Sequence, residues 1–276
     1  MSQVTTADIT KLRKLTGAGM MDCKNAITES DGDIDKAIEI IRKKGQAVAM
    51  KRSDRETSEG VVSIKTSDDN RQAAMIALAC ETDFVSKTEG FIQLANTISD
   101  VAIASKPANL EALKLTKVNN LTIAELVLDK VAATGEKTDV VYYDNISSEY
   151  ISSYIHQGSK IGVIVGFNKT ISDMQIGKDI AMQIAAMNPV AIDKGDVSQQ
   201  MIDKEIEIGK EQARAEGKPE AMLDKIAMGK LNKFYNDSTL LNQEFIKDNK
   251  TTVRQYLQSK DKELTVTIFK RCSLVM

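Results

Sequence analysis

The sequence predicts an α+β protein: three short N-terminal helices, two related α/β subdomains with small antiparallel sheets, and an antiparallel helical hairpin inserted into the second. Three observations predict this. Helical periodicity fills roughly the first 45 residues. A hairpin-then-helix pattern occurs twice after that. Two charged helical stretches, about 198–215 and 219–235, then interrupt the second pattern.

Residues 6–15, "TADITKLRKL", open on a candidate Thr N-cap and carry Ile9, Leu12 and Leu15 toward one helical face. "TGAG" at 16–19 breaks that helix, and Met20 to Thr28 reads as a second. "SDGD" at 30–33 is a turn whose Asp33 can cap a third helix, with Ile34, Ala37, Ile38 and Ile41 inside. The charged "KRSDRE" at 51–56 reads as a solvated linker.

The period then changes. "GVVSIKT" and "AAMIALAC" flank "SDDNRQ" and read as a β-hairpin with a longer loop. One helix is expected over about 84–105, with Phe91, Leu94, Ala95, Ile98 and Val101 on its face. A second is expected over about 122–133, with Gly135 as its C-cap glycine. "TDVVYYDNI" reads as a strand, "EYISSYIHQ" and "KIGVIVGF" pair across "GS", and "SDMQIGKDIAMQIAAM" is a helix.

In the inserted hairpin, Met201, Ile208 and Ala215 are expected to line one side. Leu223, Ala227, Leu231 and Phe234 line the other. The dense charge between them predicts a hairpin that projects into solvent. "ELTVTIFKR" closes the fold as a strand with Leu264, Val266 and Ile268 alternating. The expected divisions are residues 1–50, a linker over 51–60, a first core subdomain over 61–146, a second over 147–197 and 236–276, and the hairpin over 198–235.

Composition excludes several function classes. Net charge is −2, with 37 basic against 39 acidic residues. A general nucleic-acid binder would carry a basic excess, so no direct nucleic-acid contact is expected. No run reaches the ~18 apolar residues of a membrane span. The N-terminus has no apolar core like that of a signal peptide. Three scattered cysteines, Cys23, Cys80 and Cys272, point to reduced thiols and a cytoplasmic protein.

Chemistry is sparse. No Walker A loop is present, and "GAGMMD" lacks a third glycine and a preceding strand, so it is read as a helix–helix turn. Zinc sites need several Cys and His ligands at short spacing; His156 is the only histidine. A Cys80–His156 thiol enzyme is formally open, but Cys80 ends an apolar strand and reads as a buried structural cysteine. Met182 and Met187 are assigned to the core, and His156 to the surface near a hairpin turn. No enzyme activity, cofactor or metal is expected.

The corner "CETDFVSKTEGF", residues 80–91, places Phe84 in the first turn of a helix that Thr82 or Asp83 can cap. From burial tendencies alone the ring should tuck back against the hairpin. The alternative is a ring presented to a partner as an anchor.

"LTGAGMMDCKNAI" at 15–27, "GDIDKAIEIIRKKG" at 32–45, "ETDFV" at 81–85 and "YIHQGSKIGVIV" at 154–165 together resemble bacterial elongation factor Ts. So do "GKPEAMLDKIAMGKLNKF" at 217–234 and "QEFIKDNKTTVRQYL" at 243–257. These segments run in the family's order from near residue 6 to the final strand. The resemblance implies a ubiquitin-associated-like three-helix module, a two-part α/β core and a coiled-coil hairpin.

It implies a guanine-nucleotide exchange factor for elongation factor Tu, without covalent chemistry. Thr82, Asp83, Phe84 and Val85 would dislodge Mg²⁺ from that GTPase in its GDP form, and the factor would leave when GTP binds. Lys24, Gly135, His156, Ile246 and Lys247 would make further partner contacts. Thr134 stands where some members carry a larger apolar residue, and the resemblance implies no contact from the C-terminal helical extension found in others. A homodimer or a 2:2 complex through the hairpin or core stays open. Two rivals also stay open: an adaptor using residues 6–45 alone, and the thiol enzyme.

Overall fold

The computed structural model describes residues 5–275. Residues 1–4 of the expected first division and residue 276 of the expected last lie outside them. Three helices come first: α1 (Thr6–Thr16), α2 (Met20–Glu29) and α3 (Ile34–Lys51). The cap of α1 is Thr5, one residue ahead of the expected segment. It forms a capping box in which Asp8 N–H donates to Thr5 Oγ1 at 3.2 Å and Thr5 N–H to Asp8 Oδ2 at 3.2 Å. Asp33 caps α3, accepting from Lys36 N–H at 3.1 Å. Leu12, Ala18, Cys23, Ala26, Ile27, Ala37 and Ile41 form the small core. Leu15, expected inside, is exposed. Three residues beyond Leu12 is 300° around the helix, so Leu15 sits on the shoulder rather than on the face.

The first sheet has the order β1-β2-β5: β1 (Glu59–Thr66) and β2 (Gln72–Cys80) form the predicted hairpin, and β5 (Thr138–Ser147) returns to β2. Between β2 and β5 lie α4 (Asp83–Ser86), α5 (Glu89–Ser105) and α6 (Leu110–Leu115). A two-stranded ribbon of β3 (Lys117–Val118) and β4 (Leu121–Thr122) then leads to α7 (Ile123–Thr134). The single helix expected over 84–105 is therefore two helices. Ser86 and Thr88 hydroxyls donate back to the carbonyls of Asp83 (3.2 Å) and Val85 (2.8 Å). Such side-chain bonds compete with helix continuation, and Thr88 is extended at φ −70°, ψ 141°.

The second sheet repeats the first in topology. Its order is β10-β7-β6: the hairpin of β6 (Tyr150–Ile155) and β7 (Ile161–Phe167), joined on β7 by β10 (Val266–Ser273). The turn expected at "GS" takes in residues 156–160. Within β10 the register shifts between Val266 and Ile268, so the predicted alternation fails there and Ile268 is only half-buried. The two sheets face each other across Val62, Met75, Ala77, Ile146, Ile151, Ile164 and Cys272. A Cβ on Gly162 would stand 2.5 Å from Val62 Cγ1, so only glycine lets the sheets approach there. On the outer faces, α5 and α7 cover the first sheet through Phe91, Ile98, Ile123 and Val127. Helices α8 (Met174–Met187) and α11 (Val253–Lys260) cover the second through Ile176, Ile180, Ile184, Val253 and Leu257. Met187, assigned to the core from sequence, is exposed because it closes α8 at the αL cap Asn188.

The inserted pair is α9 (Gln199–Ala215) and α10 (Glu220–Ser238). Its seam is Gly209 and Ala213 against Leu223, Ala227 and Leu231. Met201 and Ala215, expected on the seam, are exposed. A Cβ on Gly209 would stand 3.2 Å from Ala227 Cα, so Gly209 and Ala213 set the contact, and Ala215, two residues past Ala213, lies about 200° around the helix from it. After a 3-10 turn at Leu240–Asn242, β8 (Glu244–Phe245) and β9 (Asp248–Thr252) form a tight hairpin that the sequence patterns did not predict.

Helix α3 lies along α7. A Cβ on Gly45 would come 2.7 Å from Ala132 Cβ and 3.1 Å from Leu128 O. Beside this contact Arg42 Nε and Nη2 donate to the Asp129 carboxylate at 3.0 and 3.2 Å.

Candidate protein-binding site at the hairpin corner

The ladder between β2 and β5 ends at the pair Cys80↔Thr138. One step further the chains stay linked, but through carboxylates. Glu81 Oε1 accepts the Lys137 N–H at 2.6 Å, and the Glu136 carboxylate accepts the Thr82 N–H at 3.1 Å and the Thr82 hydroxyl at 2.7 Å. The bonds are reciprocal: each chain gives a side chain to the other's backbone. Glu81 also receives Arg52 Nη1 at 2.8 and 2.7 Å, and Lys137 Nζ donates to the carbonyls of Ser53 and Arg55. Burial raises the Glu81 pKa, but the Lys137 N–H and the Arg52 guanidinium outweigh it and hold the carboxyl below its usual value.

Thr82, one of the two expected caps, holds the N-cap position of α4, but its hydroxyl donates to Glu136 and makes no bond to the helix N–H groups. Asp83 pairs with Lys87 Nζ at 2.6 Å, which holds its carboxyl below the usual range. Val85 is buried in the cluster between the first sheet and its covering helices. Phe84, between them, is 83% exposed. The ring does not tuck back against the hairpin, as burial tendencies alone would have it.

His156 and Asp83 border one surface depression, together with Glu59, Lys87, Gln157 and Lys160. His156 and Ile161 also border the next, which is lined by Tyr154, Met182, Ala186 and Ile246. Asp83, His156 and Ile246 thus border two adjoining depressions that share His156 and Ile161. His156 is exposed, and its Nδ1 is hydrogen-bonded with Tyr154 Oη at 2.9 Å. Ile246 and Lys247 form the tip between β8 and β9. Gln183 Oε1, on a fully buried side chain, accepts the Ile246 N–H at 2.8 Å, and Lys247 Nζ reaches Asp179 Oδ1 at 2.6 Å.

Gly135 ends α7 at φ 71°, a left-handed cap that glycine adopts without strain, and turns the chain so that Glu136 meets Thr82. Lys24 is exposed on α2, in the three-helix module rather than at the corner. That module's "TGAG" turn meets α7 at Ala133, whose Cβ lies 3.5 Å from where a Cβ on Gly17 would stand.

Sequence reasoning missed Glu81, Glu136, Asp179 and Gln183. Strand register could have found the first two, because Cys80↔Thr138 sets Thr82 opposite Glu136. Nothing in the pattern announces Asp179 or Gln183.

The thiol-enzyme reading finds no reactive thiol. Burial pushes Cys80 up to about 12, and its S–H donates to the Thr82 carbonyl at 3.2 Å. Among the described residues, no group of His, Cys, Asp and Glu could hold a metal ion. No helix among them is long and apolar enough to cross a membrane.

The corner is thus clamped by Glu81 and Glu136 and holds out one large aromatic ring. A family model described as elongation factor TS matches residues 81–274. Elongation factor Ts of Cytophaga hutchinsonii is 52% identical over 277 residues, covering 99% of this chain and 100% of the relative. That of Porphyromonas gingivalis is 52% identical over 272 residues, covering 98% of each, and that of Bacteroides thetaiotaomicron 42% over 328 residues, covering 98% of each. The chain belongs to the elongation factor Ts family.

Proposed function

We infer that the chain is a guanine-nucleotide exchange factor for elongation factor Tu in translation elongation, and that its working part is the corner Thr82–Val85. The observation that carries this is Phe84: 83% exposed, on a corner fixed by Glu81, Glu136 and the buried Val85, in a member of this family. Phe84 enters an apolar cleft of the GTPase and displaces the groups that organise Mg²⁺ and the β-phosphate. Loss of Mg²⁺ removes the largest local positive charge holding the diphosphate. GDP leaves, GTP enters, and the factor departs. Only differential affinity for the empty and filled states is required, and coupling is reciprocal: a factor that weakens GDP is itself weakened by nucleotide. No bond is made or broken in this cycle.

His156 with Ile246 and Lys247 widen the contact across the second subdomain, and Gly135 borders it beside the corner. Lys24, on a ubiquitin-associated-like module, adds a separate contact with the nucleotide-binding part of the partner. The inserted pair α9–α10 is a coiled-coil arm dispensable for nucleotide release itself. The action is cytoplasmic, with no direct nucleic-acid contact. Sedimentation of the mixture separates a 1:1 from a 2:2 assembly.

The test is release of a fluorescent GDP from elongation factor Tu, in excess unlabelled nucleotide, with and without this protein. Acceleration at substoichiometric amounts is expected. No acceleration by the folded protein would remove the exchange reading and leave the adaptor reading in its place.

A further inference from the structure

We propose that Glu136 is a positioning residue for nucleotide exchange: its carboxylate grips both the N–H and the hydroxyl of Thr82 and so holds the corner from which Phe84 projects. The proposal rests on the exchange reading above and adds to it a residue outside the Thr82–Val85 motif.

The corner has little to hold it from within. Helix α4 is four residues long and has no side-chain N-cap, and a single turn is not stable by itself. What fixes it is Thr82, whose polar groups are all engaged. The N–H and hydroxyl go to Glu136; the carbonyl accepts from the Cys80 thiol at 3.2 Å and from the Ser86 N–H at 3.2 Å. The bonds to Glu136 are charge-assisted and bidentate, which fixes direction as well as distance. Glu136 is itself placed by the left-handed turn at Gly135 and by the Glu81 bond to the next N–H.

The anchor therefore lies two residues before Phe84, and the buried Val85 one residue after it. The ring is free while the backbone on both sides is held. A wedge must arrive in one place to displace the groups around a bound nucleotide, and pre-organisation removes the ordering cost from that step. Binding of the rest of the surface, at His156 and Ile246, does not pass through Glu136.

That separation gives the test. GDP release is measured against concentration of the full-length factor for wild type, Glu136→Ala and Glu136→Gln. For Glu136→Ala the saturating rate is expected to fall about tenfold, the scale of losing one ordered backbone residue, with little change in the half-saturating concentration or melting temperature. Glu136→Gln keeps one acceptor oxygen and should lose about threefold.

A Glu136→Ala variant with the wild-type saturating rate, or with a loss confined to half-saturation or melting temperature, overturns the proposal. Should that variant fail to fold, Glu136→Gln is read by the same two criteria. If wild type itself gives no acceleration, the exchange reading fails and the positioning role fails with it; if wild type accelerates and Glu136→Ala matches it, only the positioning role fails.

Discussion

Lys247 Nζ lies 2.6 Å from Oδ1 of Asp179, a carboxylate whose side chain is 7% exposed. The same carboxylate accepts from Gln175 Nε2 at 2.6 Å and from the Tyr256 hydroxyl at 2.9 Å. Three donors from three elements thus converge on one buried anion, and the tip carrying Ile246 and Lys247 is one of them. Buried charge is tolerated only when paired in this way. The tip is therefore a fixed part of the surface rather than a free loop.

The charge on Asp179 can be tested through pH. Burial alone raises its pKa, but Lys247, Gln175 and Tyr256 outweigh burial and hold it below the ordinary carboxylate value. With the folded value depressed, its contribution to stability is present above the unfolded pKa of about 4 and is lost as pH falls through the folded value. Asp179→Asn should cost about 2 kcal/mol in urea unfolding at neutral pH. The gap to wild type should narrow below about pH 4. A gap that stays constant across that range would mean that shape, not charge, is what Asp179 supplies.

Phe84→Ala separates function from folding. The ring is 83% exposed, so its removal should change stability by no more than about 0.5 kcal/mol. Exchange should fall by well over tenfold in saturating rate, because the anchor of an interface carries a large share of its energy. Fluorescent-GDP release and thermal melting, run on the same preparation, check both halves. Unchanged release would remove Phe84 from the mechanism.

The α+β architecture was legible because periods of 2 and 3.6 alternate along the chain, and both sheets with their covering helices follow that alternation. Short elements were not. The ribbon β3–β4 and the hairpin β8–β9 have strands of two to five residues, too few to show a period. On the inserted pair the α10 side of the seam was legible in Leu223, Ala227 and Leu231, but the α9 side was not, because the close approach there is set by Gly209 and Ala213, which carry no apolar signal of their own. The corner was legible only in part. Its residues stand out as a motif, but the exposure of Phe84 depends on bonds from Glu136 and Glu81 across 54 and 56 positions of sequence, and local pattern carries no trace of them.

Thiol chemistry gives a third prediction. Burial pushes Cys80 up to about 12 and Cys272 up to about 11, and raises Cys23 as well. The folded state therefore prefers the protonated thiols. That preference contributes stability in full below the unfolded cysteine pKa of about 8.5, and it is lost as pH rises from there toward the folded values. Native protein should resist iodoacetamide at pH 8 and retain its exchange activity, while all three cysteines label in urea. Mass spectrometry counts the adducts. Rapid labelling of Cys80 in the native state with loss of activity would return the thiol-enzyme reading to consideration.

Gly45 offers a prediction in which propensity and packing disagree. Alanine in a helix interior is favoured over glycine by about 1 kcal/mol, so Gly45→Ala should stabilise α3 if the helix stood alone. It does not stand alone. The added Cβ would meet Ala132 Cβ at 2.7 Å and the Leu128 carbonyl at 3.1 Å, and the backbone oxygen cannot swing aside. Relief requires α3 to move off α7, which also stretches the Arg42–Asp129 pair. Overpacking of this kind costs about 1–3 kcal/mol, which exceeds the propensity gain. Gly45→Ala should therefore lower the melting temperature, and Gly45→Leu should lower it further and free the three-helix module from the core. Limited proteolysis reads the second effect as faster cleavage between Arg52 and Ser58. A Gly45→Ala variant more stable than wild type would show that α3 and α7 have room to separate, and that the module is held by the Arg52–Glu81 and Lys137 bonds rather than by this contact.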